Sequence, residues 1–300
     1  MSTELELKFS MPQDHLSQLV ALLPQLGDIQ HSDSAALLNA YFDTPDNWFR
    51  RHDMGLRSRL KRGRYEQTIK LAGTQHGALQ QRPEYNQPCA TVVPQLCDFP
   101  AHIWPAHTDI TLLQNQLTEL FRTDFQRQSW QLQCDDATVV ELVYDQGHVI
   151  ASGSSQPIAE LELELISGKA AALFVLAQQL VQQLPLRTGW LSKAARGYLL
   201  CTKQPLTLAQ NVGTSLLQQL TALQRAEACY VQHPTQAALS AGAEALQAIA
   251  QQLARRDALT DAAANAAALA AQLAQGRSIF GTTGYNLLLL ALSHYLFYNA

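Results

Sequence analysis

The sequence predicts an α+β fold, an antiparallel β-barrel with flanking helices followed by a small all-α helical bundle. Two observations predict it. From Met1 to about Lys203, short stretches of strict alternation recur often enough for eight or nine strands, and almost all of the clustered charge lies there. That many strands can close a barrel. Beyond Gln204 the composition shifts to Ala, Leu and Gln, and the apolar spacing becomes helical. At 300 residues the chain exceeds one domain of roughly 100 to 200 residues. Two units are therefore expected, residues 1–203 and 204–300, divided at Gln204-Pro205 because proline stops the preceding element.

The first strand spans Glu4 to Phe9. Pro12 then opens a helix with the apolar stripe Leu16, Leu19, Val20 and Leu23, closed by Gly27. Further strands are expected at 37–42, 55–61, 65–71, 81–86, 123–132, 138–145, 148–151 and 158–166. The proline-rich stretch 87–119 reads as an irregular excursion with one helix, and 170–184 as a second clear helix ended by Pro185. In the tail, Val212, Leu216, Leu220 and Leu223, then Leu239, Leu246, Ile249 and Leu253, then Leu269 and Leu273 mark the helices of the bundle.

Bulk properties exclude several classes. Hydrophobic residues are 47% of the chain and charged residues 15%, enough for a packed core and against long disorder. Lys and Arg number 21 against 25 Asp and Glu, a net charge of −4, which argues against coating nucleic acid or an anionic membrane. Any polyanion must then meet a local cluster of cations. Cys89, Cys97, Cys134, Cys201 and Cys229 are odd in number, form no C-x-x-C pair and follow no cleavable signal, so they read as reduced thiols of a cytoplasmic protein. The apolar run 287–292 with its continuation to Tyr298 is shorter than the ~20 residues of a membrane span.

Three charged clusters carry the chemistry. Alternation puts Glu4, Glu6 and Lys8 on one face of the first strand and Leu5, Leu7 and Phe9 on the other. By itself this is also the pattern of an ordinary strand with a solvated charged face. Glu160, Glu162 and Glu164 likewise share one face of a strand whose other face is leucine. Like charges in such a row repel, and a bound divalent cation removes the repulsion; hard oxygen donors suit Mg²⁺ or Mn²⁺. Glu4, Glu6, Glu160 and Glu162 thus read as a metal site shared by two distant strands. Asp145, followed by Gly147, is either a further metal carboxylate or part of a plain turn. The third cluster is cationic: Arg57, Arg59 and Lys61 share a face, Thr68 and Lys70 share the next, and Arg82 alternates with Glu84. Such cations can be mere surface charges, but here carboxylates occupy the first and last strands and cations the middle ones. A closed barrel with both sets inside is a polar tunnel suited to a triphosphate. Arg forks would bind its oxygens and a metal would bridge them to carboxylates. No Ser-His or Cys-His arrangement is present, and adjacent Ser192 and Lys193 do not suit a dyad.

These residues resemble the CYTH superfamily, the triphosphate tunnel metalloenzymes. The likeness runs in order through Glu4-x-Glu6-x-Lys8, the 41–44 segment Tyr-Phe-Asp-Thr, Arg57-x-Arg59, Thr68-x-Lys70, Arg82-x-Glu84, Phe121-x-Thr123 with Arg127, Asp145-x-Gly147, Glu160-x-Glu162 and Ser192-Lys193 with Arg196, Gly197 and Tyr198. It covers about residues 1 to 200. The resemblance implies an eight-stranded antiparallel tunnel. In it, Glu4, Glu6, Asp145, Glu160 and Glu162 hold two Mg²⁺ or Mn²⁺ ions, and Lys8, Arg57, Arg59, Lys70, Arg127 and Lys193 grip the phosphates. Arg82 and Glu84 would stand on the tunnel wall and tune those cations. Lys8, Arg57, Arg59 and Lys70 would stabilise charge in the transition state. Arg127 shares strand parity with Phe121, Thr123 and Phe125, so an inward Arg127 is expected to need a bulge. The tail resembles a shortened CHAD module lacking its His- and Arg-rich helix, with a structural or interaction role. The implied activity is hydrolysis of inorganic triphosphate to pyrophosphate and orthophosphate. Alternatives are adenylate cyclase, thiamine or nucleoside triphosphatase, and an idle tunnel that binds polyphosphate.

Overall fold

The computed structural model describes residues 2–256 and 259–299. Ten strands form one sheet: β1 (Ser2–Ser10), β2 (Asp28–Asp43), β3 (Gly55–Lys61), β4 (Arg64–Lys70), β5 (Thr74–His76), β6 (Leu79–Cys89), β7 (Thr118–Gln133), β8 (Val139–Ala151), β9 (Ser154–Ser167) and β10 (Arg187–Thr188). Eight of them run in the order β1-β9-β8-β7-β2-β3-β4-β6, and β6 pairs back onto β1 from Ser2↔Glu84 to Leu7↔Leu79, which closes an antiparallel barrel. Strands β5 and β10 are short additions beside β6 and β1. Two hairpins turn on two-residue loops, Arg62-Gly63 and Ser152-Gly153, with positive φ at both central residues (50° and 76° in each). That geometry matches the twist of the flanking strands and favours glycine at the second position.

The helices are α1 (Leu16–Leu26), α2 (Trp48–Arg51), α3 (Ile110–Gln116), α4 (Ala171–Gln183), α5 (Lys193–Thr202), α6 (Leu216–Gln232), α7 (Gln236–Leu253), α8 (Thr260–Ala274) and α9 (Thr283–Asn299). The expected outer faces are apolar and covered: Leu5, Leu7, Phe9, Leu161 and Leu163 pack under α1 and α4. A second core lies between β2, β3 and β4 and the 96–113 excursion, centred on Phe42, Phe49, Leu56, Ile69 and Trp104. Helices α6 to α9 enclose a third core of leucine, alanine, Ile249 and Tyr285. They also grip the barrel side: Asn286 Nδ2 donates to Leu186 O at 2.6 Å, Ser293 Oγ accepts from Ala78 N at 2.8 Å, and Leu290 joins the core under α1 and α4. None of the described helices is long and apolar enough to cross a membrane.

Three local expectations change. Residues 139–151 form one strand instead of two, so Asp145 and Gly147 are mid-strand and the turn alternative is excluded. Gly147 is there because a Cβ would meet Asp124 O at 2.1 Å and Phe125 Cα at 2.4 Å. The first helix begins as a 3₁₀ turn at Gln13–His15 before α1. Val212 lies outside α6 and is exposed.

Candidate active site

Period-two alternation around a closed barrel delivers every second side chain to the interior. The inward rows of β1, β3, β4, β6, β7, β8 and β9, with the start of α5, line a cavity of about 280 Å³. Its cationic wall carries Arg57, Arg59 and Lys70. Glu84 is set among these cations, 3.1 Å from Lys70 Nζ and 3.9 Å from Arg57. Burial would push the Glu84 carboxyl up, but Lys70 and Arg57 outweigh it and hold it at about 2. Lys70 also pairs with Glu4. Arg59 Nε donates to Asn39 Oδ1 at 2.8 Å, and Asn39 Nδ2 donates to Thr123 Oγ1 at 2.8 Å. Burial and the neighbouring Arg57 and Arg127 charges press Arg59 down to about 9. Arg57 Nε is buried without a hydrogen-bond partner among the described residues. This wall has more positive charge and donor capacity than its own acceptors satisfy.

The opposite wall is acidic. Glu6 faces Glu164 across β1 and β9, and Glu164 faces Glu141 across β9 and β8. Burial, with Glu162 and Glu4 nearby, raises Glu6 to about 7; burial, Glu4 and Glu6 raise Glu164 to about 8. Four inward carboxylates, Glu4, Glu6, Glu141 and Glu164, thus line one stretch of wall, with Lys70 as the cation bonded to Glu4. Such a donor set suits a hard divalent cation. Among the described residues no three such groups already surround one point, so ion entry would require side-chain rotation, including release of Glu4 from Lys70.

At one end α5 closes the barrel. Ser192 Oγ caps it by accepting from Ala195 N at 3.1 Å, and Lys193 projects into the cluster beyond. Lys193 Nζ lies 2.6 Å from Glu160, 2.8 Å from Glu162 and 2.9 Å from Asp145. Arg127 grips Asp145 through two 2.6 Å bonds and reaches Glu162 at 3.0 Å, while Arg196 binds Glu160 at 2.8 Å. Burial works against the charge of Lys193, yet Asp145, Glu160 and Glu162 hold it protonated well above its ordinary range. Burial would likewise raise Glu162, but Lys193, Arg127 and Lys8 pull it well below the carboxylate range.

Of the residues singled out in the sequence, Glu4, Glu6, Lys8, Arg57, Arg59, Lys70, Arg82, Arg127, Glu162 and Lys193 share the cavity wall. Asp145 and Glu160 do not line it and are ion-paired instead, Asp145 with Lys193 and Arg127 and Glu160 with Lys193 and Arg196. Arg82 stands at the wall with Nε donating to Leu71 O at 3.0 Å. Arg127 needs no bulge: β7 keeps register from Phe121↔Tyr41 to Arg127↔Ala35. The face shared by Phe121, Thr123, Phe125 and Arg127 is itself the interior, because Phe121 and Phe125 form the apolar seat of α5 with Tyr41, Ala194 and Tyr198. Asp43 anchors the other side of this seat, accepting from Tyr198 OH at 2.7 Å and from the amides of Thr44, Phe49 and Arg50. Sequence reasoning missed Glu141 and Asn39; Glu141 shares strand parity with Asp145 and could have been found that way.

A family model described as the CYTH domain matches residues 2–198. The chain belongs to the CYTH family. It is 33% identical over 207 residues to an inorganic triphosphatase of Haemophilus influenzae, a match covering 69% of this chain and 57% of that protein. The chain thus spans little more than half the length of that relative. Among solved structures, a Hippeastrum protein described as an adenylyl cyclase candidate that reveals a dominant triphosphatase activity aligns at 14% identity and a TM-score of 0.48, over 65% of this chain and 95% of its own. A solved inorganic triphosphatase aligns at 23% identity and a TM-score of 0.25, over 57% and 79% of the two chains. The assignment to the CYTH family rests on the sequence match.

Proposed function

We propose that this CYTH protein hydrolyses inorganic triphosphate to pyrophosphate and orthophosphate inside the barrel. The observation that carries the reading is the set of buried cationic donors, Arg57 with an Nε that has no hydrogen bond among the described residues and Arg59 bonded to the Asn39 side chain, facing a row of crowded carboxylates. An anion rich in oxygen satisfies the first, and divalent cations relieve the second. The size of the cavity, about 280 Å³, is at the small end of ligand sites and is consistent with a small substrate.

The residues would divide the work as follows. Arg57 and Arg59 fork onto phosphoryl oxygens, and Lys8 and Lys70 add charge as the leaving oxygens gain it. Glu84 keeps Lys70 and Arg57 charged and oriented. Arg82, at the wall, and Arg127 and Lys193, at the closed end, complete the phosphate contacts; the last two also neutralise Asp145, Glu160 and Glu162 in the resting state. Glu4, Glu6 and Glu162, with Glu141 and Glu164 added and with the ion-paired Asp145 and Glu160, would hold two Mg²⁺ or Mn²⁺ ions. When bound, these ions supply charge neutralisation between carboxylate and phosphate and the activation of water. The reaction would take place in the cytoplasm, where the five cysteines stay free thiols. The helices of 204–300 would form a second unit, a reduced CHAD-like bundle that buttresses the barrel.

The test is phosphate release by the purified chain from inorganic triphosphate, ATP and thiamine triphosphate, each with Mg²⁺, Mn²⁺ or chelator. Metal-dependent turnover strongest on inorganic triphosphate supports the proposal. Turnover of ATP to a cyclic nucleotide, or no turnover of any triphosphate by folded protein, overturns it.

A further inference from the structure

A second cavity, of about 570 Å³, lies outside the barrel wall, between the ends of β1 and β9, the 185–191 segment and α6. It is separate from the tunnel, with which it shares no lining residue; Arg196 and Glu160, bonded at 2.8 Å, line it and not the tunnel. Much of its surface is apolar, from Met11, Pro157, Trp190 and Val231. Charged and polar side chains complete the lining, among them Glu160, Arg187, Arg196, Gln224 and Glu227. Glu160 Oε2 makes no hydrogen bond there but lies 2.6 Å from Lys193 Nζ. Gln224 and Glu227 are each about 1% exposed, and both line the cavity. Gln224 Nε2, a donor, and Glu227 Oε1, an acceptor, have no hydrogen-bond partner among the described residues. The other Glu227 oxygen is committed, accepting from Tyr285 OH at 2.9 Å and Thr188 Oγ1 at 3.3 Å.

Buried polar atoms left unpaired are costly, and two converging on one cavity point to a ligand that satisfies both. Gln224 and Glu227 are three residues apart on α6, so their side chains lie side by side on one face. The missing partner must present an acceptor next to a donor, as the C=O and N–H of a lactam edge do. The two guanidiniums are balanced by the two carboxylates of the lining: Arg196 binds Glu160 and Pro157 O, and Arg187, bonded to Ser10 Oγ at 3.2 Å, favours the charged form of Glu227. A neutral ligand therefore fits better than the anion suited to the tunnel. Trp190 offers a flat apolar surface for stacking. We propose that this cavity binds a neutral, planar heterocycle with a lactam edge, of the nucleobase or nucleoside class, through Gln224 and Glu227. The proposal does not depend on what the tunnel hydrolyses.

The experiment is calorimetric titration of the full chain at pH 8 with uridine, inosine, 3-methyluridine and ribose, followed by Trp fluorescence. Uridine or inosine is expected to bind once per chain and to perturb the emission, while ribose gives no heat. Methylation at N3 removes the donor to the Glu227 carboxylate and should weaken binding more than about tenfold, while Gln224→Leu should weaken it about tenfold, the loss expected for one hydrogen bond to a neutral partner. Ala228→Trp, which fills the cavity, should abolish it; melting curves will show that both variants fold. Inorganic triphosphate should not displace uridine. The proposal is overturned if neither nucleoside binds, if 3-methyluridine or Gln224→Leu leaves affinity unchanged, if Ala228→Trp still binds, or if triphosphate competes.

Discussion

Gly197→Ala adds one methyl group to α5 at the point where that helix seats in the barrel. The new Cβ would lie 2.1, 2.2 and 2.5 Å from three ring carbons of Phe121. Ordinary carbon contacts are about 3.5–4.0 Å, so one partner must retreat by about 1.5 Å. Phe121 is poorly placed to yield: it is 2% exposed, stacked on Tyr41 at 4.6 Å and 17°, and set edge-on to Tyr198 at 5.4 Å. The helix should lift instead. Overpacking of this kind costs about 1–3 kcal/mol, against a gain of about 1 kcal/mol from alanine's better helix propensity. Net destabilisation of up to about 2 kcal/mol is expected in urea unfolding. Lifting α5 also withdraws Lys193 from Asp145, Glu160 and Glu162, so triphosphate turnover should fall in the same variant. If Gly197→Ala is instead stabilised by about 1 kcal/mol with unchanged turnover, helix propensity alone governs the site and the tight seat is refuted.

Lys193→Met leaves three carboxylates with one fewer cation in a nearly buried cluster, and should cost about 3–5 kcal/mol at pH 7.5 by urea unfolding; a loss below 1 kcal/mol would mean that Arg127 and Arg196 suffice. Glu227 has its folded pKa raised by burial from 4.5 to about 7. Its contribution is therefore full below pH 4.5, where both states are protonated, and is lost as pH rises to 7 and the unfolded chain alone ionises readily. The difference amounts to about 3 kcal/mol, so Glu227→Gln should be nearly neutral at pH 4.5 and stabilising at pH 8 in parallel urea titrations. Tyr198→Phe removes the 2.7 Å bond to buried Asp43, but that carboxylate keeps three backbone donors, so a loss of only about 1–2 kcal/mol is expected by the same method.

The strands that carry chemistry were legible because their two faces differ in kind. Carboxylates alternate with leucines in β1 and β9, and β3 begins and ends where its alternation does. Segments whose structure comes from tertiary partners were not legible. Helix α2 is four residues long and is started by the Asp43 carboxylate, and α5 carries a glycine that only the Phe121 ring explains. Strands β5 and β10, three and two residues long, exist only as additions to longer neighbours. The misreading of Arg127 has the same root. Polarity marks the interior where the tunnel is open, but the seat of the closing helix is apolar, so Phe121 and Phe125 point inward beside it. Glu141 was hidden because apolar Val143 separates it from Asp145 on the same strand face.

The central claim is best tested by ³¹P NMR of inorganic triphosphate incubated with the full chain and Mg²⁺, beside chelator-treated enzyme and the Glu6→Gln and Arg57→Ala variants. The account predicts equal growth of pyrophosphate and orthophosphate with the metal-loaded wild type, and losses of at least about a hundredfold in the other three samples, the scale of removing one preorganised electrostatic contact. Hydrolysis that survives chelation, or that proceeds at full rate without Glu6 or Arg57, would contradict it.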